Sequence, residues 1–130
     1  MTLHYIIYSS TPEKTFRKED VETLLTAARQ NNERFAITGM LVYLPELFIQ
    51  LIEGPKTEIQ QLYRNIELDN RHYRVTLLKE GIINQRRFPD WSMGLDYRDV
   101  PLSDFRQSFP ISDDKVLSLF DILDSPAEQD

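Results

Sequence analysis

The sequence lacks cysteine altogether, which excludes disulfide bonds, thiolate catalysis and cysteine metal ligands and makes a cytoplasmic location the expectation. It has no apolar run near the roughly 18 residues of a membrane span and no signal-peptide layout, so we expect no membrane association. The formal net charge of −6 argues against a nucleic-acid partner, which would require a basic face. The 130 residues, 41% of them hydrophobic, suffice for one domain with a sizeable core.

Motifs of the common enzyme classes are absent as well. There is no nucleophile elbow, no glycine-rich dinucleotide fingerprint and no phosphate-binding P-loop. The two histidines, His4 and His72, lack the spacing of metal ligands, and no carboxylate pair stands in an apolar setting. An acylphosphatase-like hydrolase would need an anion-cradling loop, yet residues 9–15 contain no glycine to build one. The sequence therefore predicts neither an enzyme nor a metal site.

Hydrophobic periodicity predicts alternating strands and helices. Strands are expected at residues 3–9, 36–43, 47–52, 73–79 (continuing towards 83) and 91–96, and helices from about 17 to 30, 55 to 68 and 112 to 123. The order βαββαβ is the ferredoxin-like pattern of an α+β fold, here with an additional strand and a C-terminal helix. The expected divisions are a core at 1–97, an extension with a capping or oligomerisation helix at 98–124, and a disordered tail at 125–130.

One polar residue stands out inside the third predicted strand. Gln50 is a primary amide within an otherwise apolar run, where burial without hydrogen-bond partners costs about 1–3 kcal/mol. Tyr8, near the end of the first strand, could satisfy it, because strands one and three are neighbours in a ferredoxin-like sheet. On the pair alone, a core hydrogen bond without a functional role is the simpler interpretation. Asn32 can likewise be an ordinary asparagine at a helix C-terminus.

Several short motifs together are more specific than any of these residues alone. In chain order they are Tyr8-Ser9, Asn31-Asn32, Ile37-Thr38-Gly39, Phe48-Ile49-Gln50, Glu53-Gly54, Asp69-Asn70-Arg71-His72, Arg87-Phe88 and Trp91-Ser92-Met93. Over residues 2–97 this series strongly resembles the BLUF family of small flavin-binding blue-light sensors. The resemblance implies a ferredoxin-like fold with a flavin held noncovalently between the two helices. FAD is the expected flavin, with FMN and riboflavin as alternatives.

The resemblance also implies roles for particular residues. Tyr8 and Gln50 would be the photoactive pair, with an electron and a proton passing from Tyr8 towards the flavin through Gln50. The amide would be left rotated or tautomerised, which gives a small red shift of the flavin absorption. The residues expected to bind the flavin are Asn31, Asn32, Gln50, Asp69, Arg71, His72, Leu24, Ile37, Leu41 and Ile66. Leu25, Ala28 and Ile59 could complete the apolar slot for the ring. Trp91 and Met93, predicted on one face of the last strand, would relay the signal.

No effector domain follows Asp99, so the output is expected in trans, through an unidentified downstream effector protein. The amphipathic stretch at residues 116–123 is expected to cap the sheet or to pair with a second subunit, which predicts a homodimer or a larger homo-oligomer. The alternative is a flavin-free interaction module on the same fold. The presence of Tyr8, Asn32 and Gln50 argues against it, because losing the flavin removes the reason to bury an amide.

Overall fold

The structure is a computed structural model and describes residues 2–97. Its elements are β1 (Leu3–Pro12), α1 (Lys18–Arg34), β2 (Thr38–Leu44), β3 (Leu47–Pro55), α2 (Lys56–Leu68), β4 (His72–Ile83) and β5 (Gly94–Tyr97). The α+β class, the ferredoxin-like order and the additional strand are confirmed. The predicted C-terminal helix and tail, at residues 98–130, lie outside the described residues. Neither described helix is long and apolar enough to cross a membrane.

The five strands form one sheet in the order β4-β1-β3-β2-β5. β1 is antiparallel to both β3 and β4, and β2 is antiparallel to β3. β5 runs parallel to β2 on its outer side, which makes the sheet mixed. Because β1 and β3 pair at the centre of the sheet, their register places Tyr8 directly opposite Gln50.

Both helices pack on the same face of the sheet. The helix-side cluster there consists of Ile6, Phe16, Val21, Leu25, Ile37, Leu41, Tyr43, Phe48, Ile52, Ile59 and Met93. Side chains alternate along each strand, so the intervening residues form a second cluster on the other face. This opposite cluster consists of Tyr5, Ile7, Met40, Val42, Leu44, Ile49, Leu51 and Phe88. The central strands are therefore apolar on both faces, which is why Gln50 is conspicuous in β3.

Helix α1 extends further than the sequence predicts. The amides of Asn31 and Asn32 favour termination, but the helix continues to Arg34, and the Phe35 N–H contacts both Asn31 and Asn32 carbonyls at 3.2 Å. The reason is a tertiary contact: Asn32 is buried, and its Nδ2 donates to the Ser92 carbonyl at 2.7 Å. Asn32 thus lies in the last turn of the helix rather than after it.

The last strand begins at Gly94, so the prediction that Trp91 and Met93 share one face of a strand is wrong. Trp91 stacks on Phe88, with ring centroids 5.9 Å apart, against the opposite cluster, whereas Met93 is buried in the helix-side cluster. Local crowding explains the irregular backbone. The Gly39 N–H donates to the Trp91 carbonyl at 3.0 Å, and a Cβ at Gly94 would collide with the Trp91 indole.

Candidate functional site

A cavity of about 350 Å³ is lined by both helices and the helix face of the sheet. Its apolar lining consists of Leu24, Leu25, Ala27, Ala28, Leu41, Phe48, Leu62 and Ile66. Its polar lining consists of Tyr8, Asn32, Gln50, Asn65, Asp69, Arg71 and His72. A mostly apolar slot of this size with a few polar groups is typical of a small-molecule site.

The sheet wall of the cavity carries a row of hydrogen bonds through Gln50. The Tyr8 hydroxyl donates to Gln50 Oε1, because the pairing of β1 with β3 places the two residues opposite each other. Gln50 Nε2 in turn contacts the Met93 sulfur at 3.2 Å. The amide therefore uses its acceptor towards one strand and its donor towards the segment before β5. A single rotation of this amide would change both contacts.

Tyr8 is held in its neutral form. Burial raises the pKa of the Tyr8 phenol well above its ordinary value, and the neighbouring Tyr63 and Asp69 raise that pKa further. The Tyr63 ring meets the Tyr8 ring edge-on, with centroids 5.6 Å apart. Because the protonated phenol is the form that can donate, the Tyr8–Gln50 bond persists at any pH near neutrality.

Two side chains of α1 bind the backbone carbonyls of Ser92 and Met93. Asn32 Nδ2 donates to the Ser92 carbonyl at 2.7 Å, and Arg29 Nε donates to the Met93 carbonyl at 2.8 Å. The other end of the same amide, Asn32 Oδ1, is buried and accepts no hydrogen bond from the described residues. A buried acceptor without a donor is unfavourable unless a bound group supplies one.

Three polar residues follow α2 at the rim of the cavity. Arg71 Nε donates to Asp69 Oδ1 at 2.9 Å, and Arg71 Nη2 donates to Asp69 Oδ2. Hydrogen bonds from Arg71 hold the pKa of the Asp69 carboxyl below its ordinary value. His72 Nε2 lies 2.6 Å from the Ile66 carbonyl, which can only accept, so this nitrogen is protonated and Nδ1 can accept from the Ser10 hydroxyl at 2.6 Å.

Most of the residues that the sequence predicted for the site lie together in this cavity. They are Tyr8, Leu24, Leu25, Ala28, Asn32, Leu41, Gln50, Ile66, Asp69, Arg71 and His72. Asn31, Ile37 and Ile59 are not in the lining: Asn31 is exposed, and Ile37 and Ile59 are buried in the helix-side cluster. Met93 reaches the cavity wall through Gln50, whereas Trp91 lies on the other side of the sheet.

The sequence prediction missed four lining residues: Ala27, Phe48, Leu62 and Asn65. Phe48 could have been found, because it lies two residues from Gln50 and therefore on the same face of β3. Leu62, Asn65 and Ile66 share one side of α2 by their spacing of three and four residues. Ala27 carries no comparable signal, since a small side chain on an exposed turn does not distinguish a cavity wall from the surface.

The chemistry of the lining fits an isoalloxazine ring. Such a ring has two flat apolar faces and one polar edge that carries a ring N–H, two carbonyls and a ring nitrogen. The apolar walls suit the faces, and the orphaned Asn32 Oδ1 and the amide of Gln50 suit the polar edge. Flavin binding would thus give the buried Asn32 Oδ1 the partner that it lacks among residues 2–97.

Known proteins resemble this chain in sequence and fold. Residues 3–94 match the family described as "BLUF: Sensors of blue-light using FAD". Photoactivated adenylate cyclase subunit beta of Euglena longa is 32% identical over 93 residues, which are 71% of this chain and 11% of that protein. The blue light- and temperature-regulated antirepressor BluF of Escherichia coli K12 is 28% identical over 116 residues, 89% of this chain and 27% of that protein. The dark-state structure of the BLUF protein BlrB superposes with a TM-score of 0.72 at 33% identity, covering 91% of this chain and 85% of BlrB.

The chain thus spans about a tenth of the length of the Euglena cyclase and about a quarter of BluF, but most of BlrB. The shared region is the one that contains the cavity and the Tyr8–Gln50 pair. Since the match extends over well more than half of the chain, this protein belongs to the BLUF family, the sensors of blue light that use FAD.

Proposed function

We propose that this protein is a blue-light sensor that holds FAD noncovalently in the cavity between α1 and α2. The observation that carries the proposal is the row of contacts Tyr8–Gln50–Met93 on the cavity wall, with an amide at its centre. A bound flavin absorbs blue light and, once excited, accepts an electron. FMN and riboflavin contain the same ring and are alternative ligands. Heat release of the flavin followed by chromatography against the three standards identifies which one is bound.

The binding residues divide by the part of the ring they suit. Asn32 Oδ1 would accept a hydrogen bond from the ring N–H, and this buried oxygen would then have a partner. Arg71 would donate to a ring carbonyl, while its pairing with Asp69 holds its guanidinium at the rim. Leu24, Leu41 and the remaining apolar lining would pack on the ring faces and exclude water.

Tyr8 is the electron donor in this proposal. Loss of an electron to the flavin would make the phenol O–H strongly acidic, and the Tyr8 proton would follow towards the flavin by way of Gln50, whose Oε1 already accepts the Tyr8 hydrogen bond. The electron and proton then return to Tyr8, so the protein gains and loses nothing overall. What persists is a rotated or tautomerised Gln50 amide, because an amide presents donor and acceptor in two alternative arrangements.

Rotation of Gln50 would affect Met93 by breaking the contact between the two side chains. In the rotated amide, Nε2 faces the Tyr8 oxygen and Oε1 faces the Met93 sulfur. A thioether has no hydrogen to donate, so the 3.2 Å contact between Gln50 Nε2 and the Met93 sulfur is lost. Met93 is thereby released from the cavity wall, while the backbone on either side of it stays tied to α1 through Arg29 and Asn32.

Asn32→Ala is expected to weaken flavin binding about 5- to 150-fold, the factor equivalent to roughly 1–3 kcal/mol for an unpaired polar partner. Titration of flavin into the flavin-free protein, followed by quenching of flavin fluorescence, measures the dissociation constant. Asn31→Ala is the matched control, because it deletes the same amide from the neighbouring but exposed position. An effect of Asn31→Ala equal to or larger than that of Asn32→Ala would contradict the assignment of Asn32.

Met93→Ala is expected to leave the light-induced red shift in place but to uncouple it from the segment that precedes β5. The reason is that Met93 takes no part in the Tyr8–Gln50 hydrogen bond but receives the contact that rotation breaks. Trp91, the single tryptophan of the chain, reports on that segment when it is labelled with 5-fluorotryptophan. The light-induced change of its ¹⁹F resonance should be present in the wild type and lost in Met93→Ala. An unchanged response would remove Met93 from the relay.

Output through an unidentified effector protein, assembly into a homodimer or larger homo-oligomer, and a cytoplasmic location all stay predictions. The cyclase and antirepressor activities in the names of the relatives are properties of those longer proteins. The flavin-free interaction module on the same fold is the competing proposal. Asn32 discriminates between the two, because without a ligand its buried Oδ1 has no partner among residues 2–97.

An absorption spectrum of the purified protein, recorded in the dark and after blue light, tests the proposed function. We expect a yellow protein whose flavin bands shift slightly to the red in light and return in the dark. A colourless protein that takes up no added FAD, FMN or riboflavin would contradict the sensor function and favour the interaction module.

A further inference from the structure

The segment between β4 and β5 is held in place from two sides of the fold. We call residues 86–93 the Met93 arm, because they lead from the end of β4 to Met93. At the far end of the arm, Asn32 and Arg29 of α1 bind the Ser92 and Met93 carbonyls. The first residues of the arm are bound by a different group, the side chain of Glu53 in β3.

Glu53 is a fully buried carboxylate, 0% exposed, that no step of the proposed photochemistry uses. Its Oε1 accepts from the Arg87 backbone N–H at 2.8 Å, and its Oε2 accepts from the Phe88 backbone N–H at 2.9 Å. Oε2 also accepts from the Thr38 hydroxyl at 2.7 Å. Burying a carboxylate is unfavourable unless it is well bonded, and three donors converge here. Two of the three belong to the backbone of the Met93 arm.

Arg86 completes the arrangement without contacting the carboxylate directly. Its Nη1 donates to the Thr38 hydroxyl oxygen at 2.8 Å and to the Glu53 backbone carbonyl at 3.2 Å, and its Nη2 donates to the Ala36 carbonyl at 2.6 Å. The Thr38 hydroxyl thus accepts from Arg86 and donates to Glu53. This network joins the α1–β2 connection, the end of β3 and the start of the arm.

Further contacts along the Met93 arm connect the residues bound by Glu53 to Met93. The Phe88 side chain is fully buried and stacks on Trp91, and the Trp91 N–H donates back to the Phe88 carbonyl at 3.2 Å. The Trp91 carbonyl then accepts from the Gly39 N–H at 3.0 Å. Each step is a short backbone or ring contact, so a shift at Phe88 moves the part of the chain that leads to Met93.

We propose that Glu53 is a positioning residue whose buried carboxylate fixes the Met93 arm and so sets the Met93 sulfur against Gln50. The part of this inference that concerns light rests on the proposed function. The placement of the arm in the dark does not. Glu53 is not one of the cavity-lining residues, and in this proposal it acts through its hydrogen bonds to the backbone of Arg87 and Phe88.

Glu53→Gln is the most direct test, because it keeps the shape of the side chain and replaces one oxygen with an NH2 group. Both oxygens of Glu53 face backbone N–H groups, so either orientation of the new amide sets a donor against a donor. In the ¹⁹F spectrum of the flavin-loaded protein labelled at Trp91, recorded in the dark, we expect a displaced or doubled resonance. Glu46→Gln, at an exposed hairpin position, is the matched control and should leave the resonance unchanged. An unchanged resonance in Glu53→Gln would overturn the proposal.

A second, milder pair of variants keeps the proposal testable if Glu53→Gln does not fold. Thr38→Val removes one donor to Glu53 and the link to Arg86 but leaves both contacts to the arm. It should displace the Trp91 resonance in the same direction by a smaller amount, and Thr38→Ser should restore it. A displaced resonance in Thr38→Ser equal to that in Thr38→Val would contradict the role of the hydroxyl.

The effect of Glu53 on the light response is tested by measuring the rate at which the red-shifted form returns to the dark form. We expect Glu53→Gln to change the recovery rate about two- to tenfold, the range that the net contribution of one hydrogen bond corresponds to. In a Met93→Ala background the same substitution should have no further effect, because the two residues then act through one contact. Independent, additive effects would show that Glu53 does not act through Met93. A protein without any spectral response would refute the sensor function, while the dark ¹⁹F comparison would still decide the placement of the arm.

Discussion

Gln50→Leu is expected to abolish the light-induced red shift completely while the protein still binds flavin. Leucine keeps the volume of the side chain in β3 but offers neither the acceptor that Tyr8 uses nor the donor that contacts the Met93 sulfur. No group at position 50 can then exchange donor for acceptor. The difference spectrum between illuminated and dark protein measures the result, with flavin content determined from the dark spectrum.

The control for this substitution is Gln60→Leu, which makes the same change at an exposed position on α2. It should leave the red shift at the wild-type amplitude. The stability of Gln50→Leu is expected to fall by about 1–3 kcal/mol, because the buried Tyr8 hydroxyl loses its acceptor. A Gln50→Leu protein that folds, binds flavin and still shows a full red shift would remove the amide from the mechanism.

Tyr8→Phe is the second substitution with a large expected effect: we expect the red shift to be lost, again with flavin retained. Phenylalanine keeps the ring that lines the cavity beside Tyr63 but has no hydroxyl to supply the proton, and its ring is much harder to oxidise than a phenol. Gln50 Oε1 then has no partner on β1. Flash illumination followed by absorption spectroscopy measures the loss.

Tyr63→Phe is the matched control for Tyr8→Phe. It deletes one hydroxyl from a ring that contacts Tyr8 edge-on at 5.6 Å but that forms no part of the cavity lining. The red shift should survive this change. If Tyr63→Phe abolished the response and Tyr8→Phe did not, the assignment of the electron donor would have to move from Tyr8 to Tyr63.

The position of Met93 suggests how an event in the cavity becomes a change elsewhere in the protein. Met93 lies on the helix face of the sheet and contacts Gln50, while Trp91, two residues earlier, packs with Phe88 on the other face. The Met93 arm therefore joins the two faces around β2 at the edge where β5 pairs. In our proposals, Gln50 releases the arm at one end and Glu53 holds it at the other.

Local sequence signals predicted the class of fold, and the resemblance to the BLUF family predicted the centre of the site. The alternation of side chains in β1 and β3, together with an amide in an apolar run, predicted that Tyr8 and Gln50 would meet. The ferredoxin-like order of the elements predicted that both helices pack on one face of the sheet. These features depend on short-range periodicity and on the unfavourable burial of an unpaired amide, which a sequence records directly.

Where neighbouring residues had to be distinguished, the sequence was less informative. Asn31 and Asn32 are both amides at the end of α1, but successive helical residues point about 100° apart, so only Asn32 faces the cavity. Ile37 fits an apolar slot by composition yet is buried in the helix-side cluster. For both Asn31 and Ile37 the type of side chain suits the site. The direction in which each side chain points keeps it out of the cavity lining.

The composition and order of the elements, the buried amide and its phenol partner were thus determined by the sequence itself. Only the tertiary structure decided that α1 continues through Asn32, that Trp91 and Met93 lie on opposite faces, and that Glu53 holds the arm between them. The physical reason is the regularity of the segments rather than their separation along the chain. Tyr8 and Gln50 are 42 residues apart, but both lie on paired strands, where alternation fixes the face of each side chain. Ser92 and Met93 precede β5 in a segment without a repeating pattern, so their contacts with Asn32 and Gln50 depend on how that segment packs against the sheet.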